Sequence, residues 1–525
     1  MAITKVTGAL LGNYTGGSAD DTVVVGDGAG VAITTGVDNT FIGDNAGAAT
    51  TSGVSNVAVG NEAFDTNTTG GYNVGIGHRA LQANTTASAN IAIGADSMYA
   101  NTTGANNVAI GSDSLKANTT GHSNAAVGKN ALLLNTTGIQ NTALGMGAVT
   151  FTTTGSYNTG VGYNALNANT TAQENTAVGY YALAVNTTGT GNTAMGAAAL
   201  DANTTADRNT AIGHNSLGAN TTGTSNTAVG SASLYTNTTG NYNVSIGRSS
   251  AYYNTTGSQN IAIGFQALEN NTTADNNIAV GFKSLEANTT GGNNTAVGYN
   301  ALDANTTASN NTALGYFALS ANTTGTLNTA VGTALYNNTT GGDNIAVGYD
   351  AGDTITTGSQ NIMIGVGSDV SASGGVYQTV IGDDLVSLGN NNFTFGKSGT
   401  YSNISFGESS IGTGSDERLK EEIADEKVGL SFINELRPVT FKWKKAKDVP
   451  DTFVNYYKKD SEERVMNGKS NHGFIAQEVK TALDKYSDIK DGFGLWQEAP
   501  DGTQIVAPAA MISILTKAVQ ELSAE

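Results

Sequence analysis

A phrase of seventeen residues recurs through the first four-fifths of the chain and limits what this part can fold into. Its core reads Asn-Thr/Ile/Val-Ala-Val/Ile-Gly, as in residues 175–179, and its closing glycine returns every seventeen residues from Gly26 to Gly332. One residue is lost in 333–335, after which the series resumes at Gly348 and ends at Gly382, giving 22 turns. A unit this short cannot hold two helices, and Asn, Thr and Gly are poor helix formers.

The pattern inside each unit is that of a β-strand followed by turns. In the core phrase the residues on either side of Ala share one face, which is strand alternation. The second phrase, Ala-Leu-x-Ala-Asn-Thr-Thr-Gly/Ala, predicts another short strand and then a turn. We therefore predict an all-β repeat solenoid, a β-roll or β-helix of seventeen-residue coils whose equivalent positions stack, about 100 Å long. Aliphatic residues such as Leu166, Val178 and Ile212 are expected to form its core, and the small Ala to let three chains pack side by side.

The composition changes near residue 415, which predicts two different parts. All four prolines and both tryptophans lie after this point, but only 6 of the 68 glycines do. Residues 416–525 hold 16 of the 24 Lys and Arg and 20 of the 43 Asp and Glu, so residues 1–415 hold 8 and 23. Such an acidic surface is a poor binder of nucleic acid. We predict four segments: an attachment segment at 1–25, the solenoid at 26–382, a β cap at 383–415 and a domain at 416–525.

Several residue types in the repeat suggest sites, and each also has a simpler interpretation. Sixteen Asn-Thr-Thr triplets are formal glycosylation sequons, but their constant phase favours a turn with stacked side chains. The carboxylates show no pair set apart for glycoside hydrolysis, so a solvated face is favoured. Tyrosines such as Tyr299 and Tyr316 suit contacts with sugars or proteins, although covering seams between coils is favoured. With no cysteine and no paired histidines, neither a metal nor a cofactor is expected.

The last 110 residues carry landmarks of a small α+β domain. Apolar spacing predicts a helix over 428–436 that Pro438 stops, then a strand over 439–443, and another helix over 475–483. In the final segment Met511, Leu515, Ala518 and Leu522 are spaced as a coiled-coil seam. Three local motifs precede that seam in order: Ser415-Asp416-x-Arg418-Leu419-Lys420, Leu436-Arg437-Pro438-Val439-x-Phe441-x-Trp443, and the run Gly473, Phe474, Ile475, Ala476, Gln477, Glu478 and Val479.

In this order the landmarks resemble the intramolecular chaperone domain first known from phage endosialidases, which ends many phage fibres and spikes. The repeats are similar to those of bacteriophage tail fibres and, more distantly, to the β-roll heads of trimeric bacterial adhesins. The resemblance implies a domain that trimerises, aligns three chains and then cleaves itself between Ser415 and Asp416. It also implies a catalytic pair of Ser415 and Lys420, with Arg418 as a cation that lowers the pKa of the lysine. The alternative is that Ser415 only caps a helix that starts near Arg418.

These features together predict a phage tail fibre, a virion structural and host-recognition protein that is made in the host cytoplasm. Its expected partners are two more copies of itself, phage tail or fibre-adaptor proteins, and a host receptor that is a glycan or an outer-membrane component. Single-turnover self-cleavage is the only enzymatic activity expected. The alternatives are a trimeric bacterial surface adhesin, which is expected to show a secretion signal, and a polysaccharide-depolymerising tailspike, which is expected to have a catalytic domain where the repeats stand.

Overall fold

The computed structural model describes residues 21–406, 412–413, 423–449, 461–464, 468–486, 494–498 and 504–524. The chain divides into two compact units, Met1–Gly414 and Ser415–Glu525. The first is a β-solenoid of about 22 turns, and the second is a small α+β region that ends in a helix. The fold class is therefore as predicted, whereas the four-segment division of the chain stays a prediction.

Each coil of the solenoid contributes one short strand to a continuous parallel sheet. Neighbouring strands pair in identical register, so that Thr176 lies opposite Thr193 and Ala177 opposite Ala194. The strands are β1 Val23–Val25, β2 Thr40–Ile42, β3 Val57–Val59, β4 Val74–Ile76, β5 Ile91–Ile93, β6 Val108–Ile110, β7 Ala125–Val127, β8 Thr142–Leu144, β9 Thr159–Val161, β10 Thr176–Val178, β11 Thr193–Met195, β12 Thr210–Ile212, β13 Thr227–Val229, β14 Val244–Ile246, β15 Ile261–Ile263, β16 Ile278–Val280, β17 Thr295–Val297, β18 Thr312–Leu314, β19 Thr329–Val331, β20 Ile345–Val347, β21 Ile362–Ile364 and β22 Gln378–Asp383.

The core of the solenoid is built from Ala and Leu, which corrects the sequence-based expectation. Ala177 at the middle of β10 and Leu166 on the opposite wall are fully buried, whereas Val178 is half-buried and Ile212 is exposed. The expectation that Val178 and Ile212 form the core, with Ala facing another chain, is wrong. The interior of a coil is narrow, and one Leu per turn fills it. A Cβ added at Gly75, for example, would lie 3.8 Å from Leu81 Cδ1. Ala is therefore the side chain that fits opposite Leu.

Left-handed backbone replaces the second strand that was predicted from Ala-Leu-x-Ala. Leu166 has φ 52° and Asn164 has φ 52°, and the equivalent residues of other coils repeat these values. Such values break a strand, and they are uncommon for a side chain as large as Leu. The closing glycine turns the chain as well: Gly179 has φ 141°, and a Cβ there would lie 2.4 Å from the carbonyl oxygen of Gly196 on the next coil.

Two buried rows of Asn side chains join the coils. In the first row, Asn226 Nδ2 donates to the carbonyl oxygen of Gly240 at 2.9 Å, and its Oδ1 accepts from the backbone N–H of Asn243 at 2.9 Å. In the second row, Asn220 Nδ2 donates to Asn203 Oδ1 at 3.0 Å. The second row consists of the Asn residues of the Asn-Thr-Thr triplets, which are buried. Their burial supports the turn interpretation of these triplets over glycosylation.

The solenoid ends where the chain reverses direction. Strand β23 (Asn392–Lys397) still pairs parallel with β22, but β24 (Thr400–Ser405) pairs antiparallel with β23, and β25 (Gly412–Thr413) antiparallel with β24. Antiparallel strands cover the edge of the last coil and so leave less of it open to pairing with another chain.

The C-terminal unit has short elements around one small core. They are α1 Leu430–Ile433, β26 Val439–Phe441, β27 Asn471–Gly473, α2 Ala476–Leu483, β28 Trp496–Glu498, β29 Gln504–Val506 and α3 Ile512–Ala524, with single 3₁₀ turns at Ala446–Asp448 and Pro508–Met511. The helix predicted over 428–436 is therefore a single turn. At its start the backbone N–H of Leu430 donates to Glu521 Oε2 of α3 at 2.8 Å. The predicted strand ends at Phe441, two residues before Trp443.

Candidate functional site

The predicted chaperone motif, Gly473 to Val479, forms the junction between strand β27 and helix α2. Gly473 ends β27 and pairs with Val439 of β26, and Ile475 is the extended residue that precedes α2. Val479 is buried with Phe432 of α1 and Ile514 of α3. The motif thus connects the β26–β27 strand pair to the core of the unit, where Phe474 and Val479 pack.

A surface cavity of about 1120 Å³ lies beside this junction. Its walls are mainly apolar and come from the antiparallel pair β26–β27, the start of α2 and strand β29. At the neighbouring β28–β29 hairpin, Trp496 Nε1 and Gln504 Oε1 are buried and have no hydrogen-bond partner among the described residues. Buried polar atoms are normally paired, so these two atoms stand out among the described residues of the unit.

Charged residues on α2 face away from the core. Arg437 Nε donates to Glu478 Oε2 at 3.0 Å, and this contact lowers the pKa of the Glu478 carboxyl and raises that of Arg437. Lys480 pairs with Asp484 one turn further on and lies 5.1 Å from the centre of the Trp496 ring. These ion pairs are exposed. They hold the charged side chains in place on the surface but add little to the stability of the unit.

Helix α3 has two apolar rows, and they are not the ones predicted. Met511 of the predicted seam lies in the core of its own unit together with Ile514, and Ala518 is also buried, whereas Leu515 and Leu522 are exposed. The seam of Met511, Leu515, Ala518 and Leu522 is therefore wrong as a single surface. The exposed row, called here the helix row, consists of Ile512, Leu515, Val519 and Leu522, spaced by 3, 4 and 3 residues.

The solenoid presents one face whose chemistry is the same in every coil. It is formed by the first and third residues of strands β1 to β21 and their equivalents in β22, and is called here the strand face. The third residue is Val, Ile, Leu or Met throughout, the first is Val, Ile, Thr or Ala, and none carries a charge. Many of these side chains, Ile246 and Val297 among them, are more than one-third exposed. Apolar surface this continuous is rare on a protein that works as a monomer.

A second face varies from coil to coil and is called here the variable face. It is formed by the residues one, two and five places after each closing glycine, which touch one another within and between coils. Lys116 Nζ, for example, lies 3.0 Å from Asp96 Oδ2 and 2.7 Å from Asp113 Oδ1. The ion pairs with Lys116 lower the pKa of the Asp113 carboxyl. Burial, with Glu286 adding to it, raises the pKa of Asp303 to about 6.

Aromatic side chains on the variable face form a ladder between β15 and β19. Phe265, Phe282, Tyr299 and Tyr316 stack in turn, with ring centres 5.4, 5.0 and 5.5 Å apart. Phe317 contacts both Tyr299 and Tyr316 edge-on, and Tyr336 contacts Phe317. The sequence interpretation named Tyr299 and Tyr316 but missed the ladder. The ladder follows directly from the sequence once Phe265 and Phe282 are placed on the seventeen-residue period.

The predicted cleavage residues Ser415, Asp416, Arg418 and Lys420 lie outside the described residues, so their roles stay predictions. The motif residues from Gly473 to Val479 lie within them. Among the described residues, no helix is long and apolar enough to cross a membrane. The same residues contain no cluster of three or more His, Asp or Glu placed to hold a metal ion.

Comparison with known families gives a match for one part of the chain. Residues 415–487 match the peptidase S74 family model, described as chaperone of endosialidase. No curated protein and no solved structure matches the chain. The match covers the first part of the C-terminal unit, including the Gly473–Val479 motif, and none of the solenoid.

Proposed function

We propose that this chain is a fibre of a bacteriophage tail that works as a homotrimer and presents a host-binding surface. One observation carries the proposal: a solenoid of uniform coils is followed by a segment that matches the chaperone of endosialidase. Both parts are consistent with a tail-fibre or tailspike-like protein. The fibre is attached to the virion through tail or adaptor proteins, and its receptor on the host surface is a glycan or an outer-membrane component.

The uniformity of the solenoid gives the C-terminal unit its role. A slip of one coil between two chains replaces Thr176 by Thr193 and Ala177 by Ala194, so it buries almost the same surface. Contacts within the repeat therefore cannot set the alignment of three chains. A non-repeating unit at the end of each chain can set it, because its surfaces occur only once.

The strand face is the surface on which the three solenoids contact one another. It runs for about 22 strand spacings, roughly 100 Å, and its apolar side chains repeat at every spacing. The partner best matched in length and period to such a face is another copy of the same chain. The variable face is then left to contact other molecules.

In the C-terminal unit, the helix row is the corresponding surface on which the three chains contact one another. Ile512 and Val519 are 66% and 63% exposed, and the spacing of the row is that of a coiled-coil seam. We propose that three helices α3 associate through this row before the coils assemble, and that cleavage between Ser415 and Asp416 then releases the unit.

Mass measurements on the full-length chain test both steps. Light scattering should give three times the mass of one chain, and a denaturing gel should show the loss of 110 residues, Asp416 to Glu525. The Ser415→Ala variant should remain trimeric and uncleaved, whereas Ser405→Ala should be cleaved normally. A monomeric chain contradicts the trimer, and continued cleavage of Ser415→Ala contradicts the serine assignment.

Binding to bacterial cells separates the fibre from the depolymerising tailspike. The cleaved trimer should sediment with host cells and release no soluble oligosaccharide from their capsule or lipopolysaccharide. Released oligosaccharide would identify a depolymerase, and failure to sediment with cells that the phage infects would contradict a host-binding role.

A further inference from the structure

The aromatic ladder stops at the one coil of irregular length between Gly26 and Gly382. Gly332 and Gly348 are separated by 16 residues, whereas all other closing glycines are separated by 17. The residue after Gly332 is Thr333, so the stack of rings is interrupted there. On the next coil the same position is again aromatic, Tyr349.

Because Thr333 follows Gly332, the ring positions of Tyr316 and Tyr349 are separated by one coil without an aromatic side chain, and this gap is called here the slot. Tyr316 stacks on Tyr299 with one face, at 5.5 Å and 21°, and is 60% exposed; Tyr349 is 62% exposed. They occupy equivalent positions two coils apart, which is roughly 10 Å at the spacing of stacked strands. Aromatic rings in contact lie about 4.5–7 Å apart, so the gap leaves room for one ring of a ligand. Thr333 occupies the intervening position of the repeat, and Phe317, which follows Tyr316, contacts Tyr336.

The electrostatics of this region select against anionic ligands. No Lys, Arg or His occurs between Lys283 and Lys397, whereas eight carboxylates do: Glu286, Asp303, Asp343, Asp350, Asp353, Asp369, Asp383 and Asp384. Negatively charged sugars or phosphates would meet only repulsion here. Carboxylates and tyrosine hydroxyls are good partners for the hydroxyl groups of an uncharged sugar.

We infer that the slot between Tyr316 and Tyr349 binds one sugar ring of a neutral host-surface polysaccharide that lies along the solenoid. The two tyrosine rings contact the apolar faces of the sugar, and Asp350 and Asp353 of the next coil accept hydrogen bonds from its hydroxyls. The inference rests on the proposed host-binding role and gives that role a site and a ligand class.

Native gels that contain a soluble polymer test the inference with the full-length chain. The probes are dextran, mannan and galactan, with polygalacturonate as the anionic comparison. At least one neutral polymer should retard the wild-type chain, and polygalacturonate should not. Tyr316→Ala and Tyr349→Ala should each weaken retardation about tenfold, since one aromatic contact is worth up to about this factor. Tyr72→Ala, which removes an equally exposed ring elsewhere, should leave it unchanged.

A variant that fills the slot tests the inference independently of any loss of folding in the alanine variants. Thr333→Tyr continues the aromatic ladder and should abolish retardation without lowering the melting temperature. Normal retardation of Thr333→Tyr, retardation by polygalacturonate alone, or none by any of the three neutral polymers overturns the slot. If the chain is trimeric, cleaved and binds cells, that result leaves the proposed function standing. A chain that is retarded as expected but is monomeric supports the slot and contradicts the fibre.

Discussion

The solenoid and the C-terminal unit are held together by different kinds of contact. In the solenoid each residue contacts its equivalents one coil away, as Asn226 does with Asn209 and Asn243. In the C-terminal unit the core joins segments far apart in sequence, such as Phe432 and Ile514. The first arrangement repeats nearly the same core and strand face in every coil, whereas the contacts of the second occur only once. A chain that needs both length and alignment gains from having both.

The largest effect is expected from the helix row, because every coil depends on the alignment that it provides. The double variant Leu515→Glu and Val519→Glu places charge on the row and should abolish the soluble trimer in light scattering. Ser523→Glu adds a charge to an exposed residue of the same helix and should assemble normally. A trimeric double variant would show that the solenoid aligns itself.

A steric change inside the stack should have a large effect confined to a few coils. Gly179→Ala places a Cβ 2.4 Å from the carbonyl oxygen of Gly196 at φ 141°, and we expect a loss of at least about 3 kcal/mol. Gly191 is also left-handed, at φ 64°, but a Cβ there meets only Arg208 Cγ at 3.8 Å. Gly191→Ala should therefore cost only about 1 kcal/mol. Thermal unfolding compares the two, and equal losses would refute the close stacking of glycines.

Removing one Asn from a buried row should have an intermediate effect. Asn226→Ala leaves the N–H of Asn243 and the carbonyl of Gly240 without their partner, and we expect a loss of about 2–3 kcal/mol. Asn61→Ala, at an exposed position, should change stability by less than about 0.5 kcal/mol. Limited proteolysis should place new cuts near residue 226. If the two variants melt alike, the Asn rows do not hold the coils together.

The smallest effect should depend on pH. Burial raises the pKa of Asp303 to about 6, from an ordinary value near 3.8 that applies to the unfolded chain. Above pH 6 the carboxylate is charged in both states and is disfavoured in the folded one, so Asp303→Asn should raise the melting temperature at pH 8. Below about pH 3 the carboxyl is mostly neutral in both states, and the variant should melt like the wild type. Asp343→Asn, at an exposed carboxylate, should show no such dependence, and an equal gain at both pH values would refute burial as the cause.

The stacking of coils followed from the sequence because the period of seventeen leaves few other folds. The direction in which Val178 and Ala177 point did not follow, because alternation assigns two faces but does not say which one is inside. In the coil, Leu166 comes from the opposite wall and leaves room only for Ala. The helix row was missed for a similar reason: Met511, Ile512, Leu515 and Ala518 all suit a seam, and only the packing against Phe432 selects between the two faces of the helix.

The identical register of neighbouring strands also bears on how such a gene changes over time. Deleting or duplicating one seventeen-residue unit moves every later coil by one step, about 4.8 Å, and restores the strand pairing and the buried Asn rows. Recombination between near-identical repeats would therefore yield variants of different length that still fold. Selection can adjust the reach of the molecule in steps of one coil, while the surfaces at its ends stay as they are.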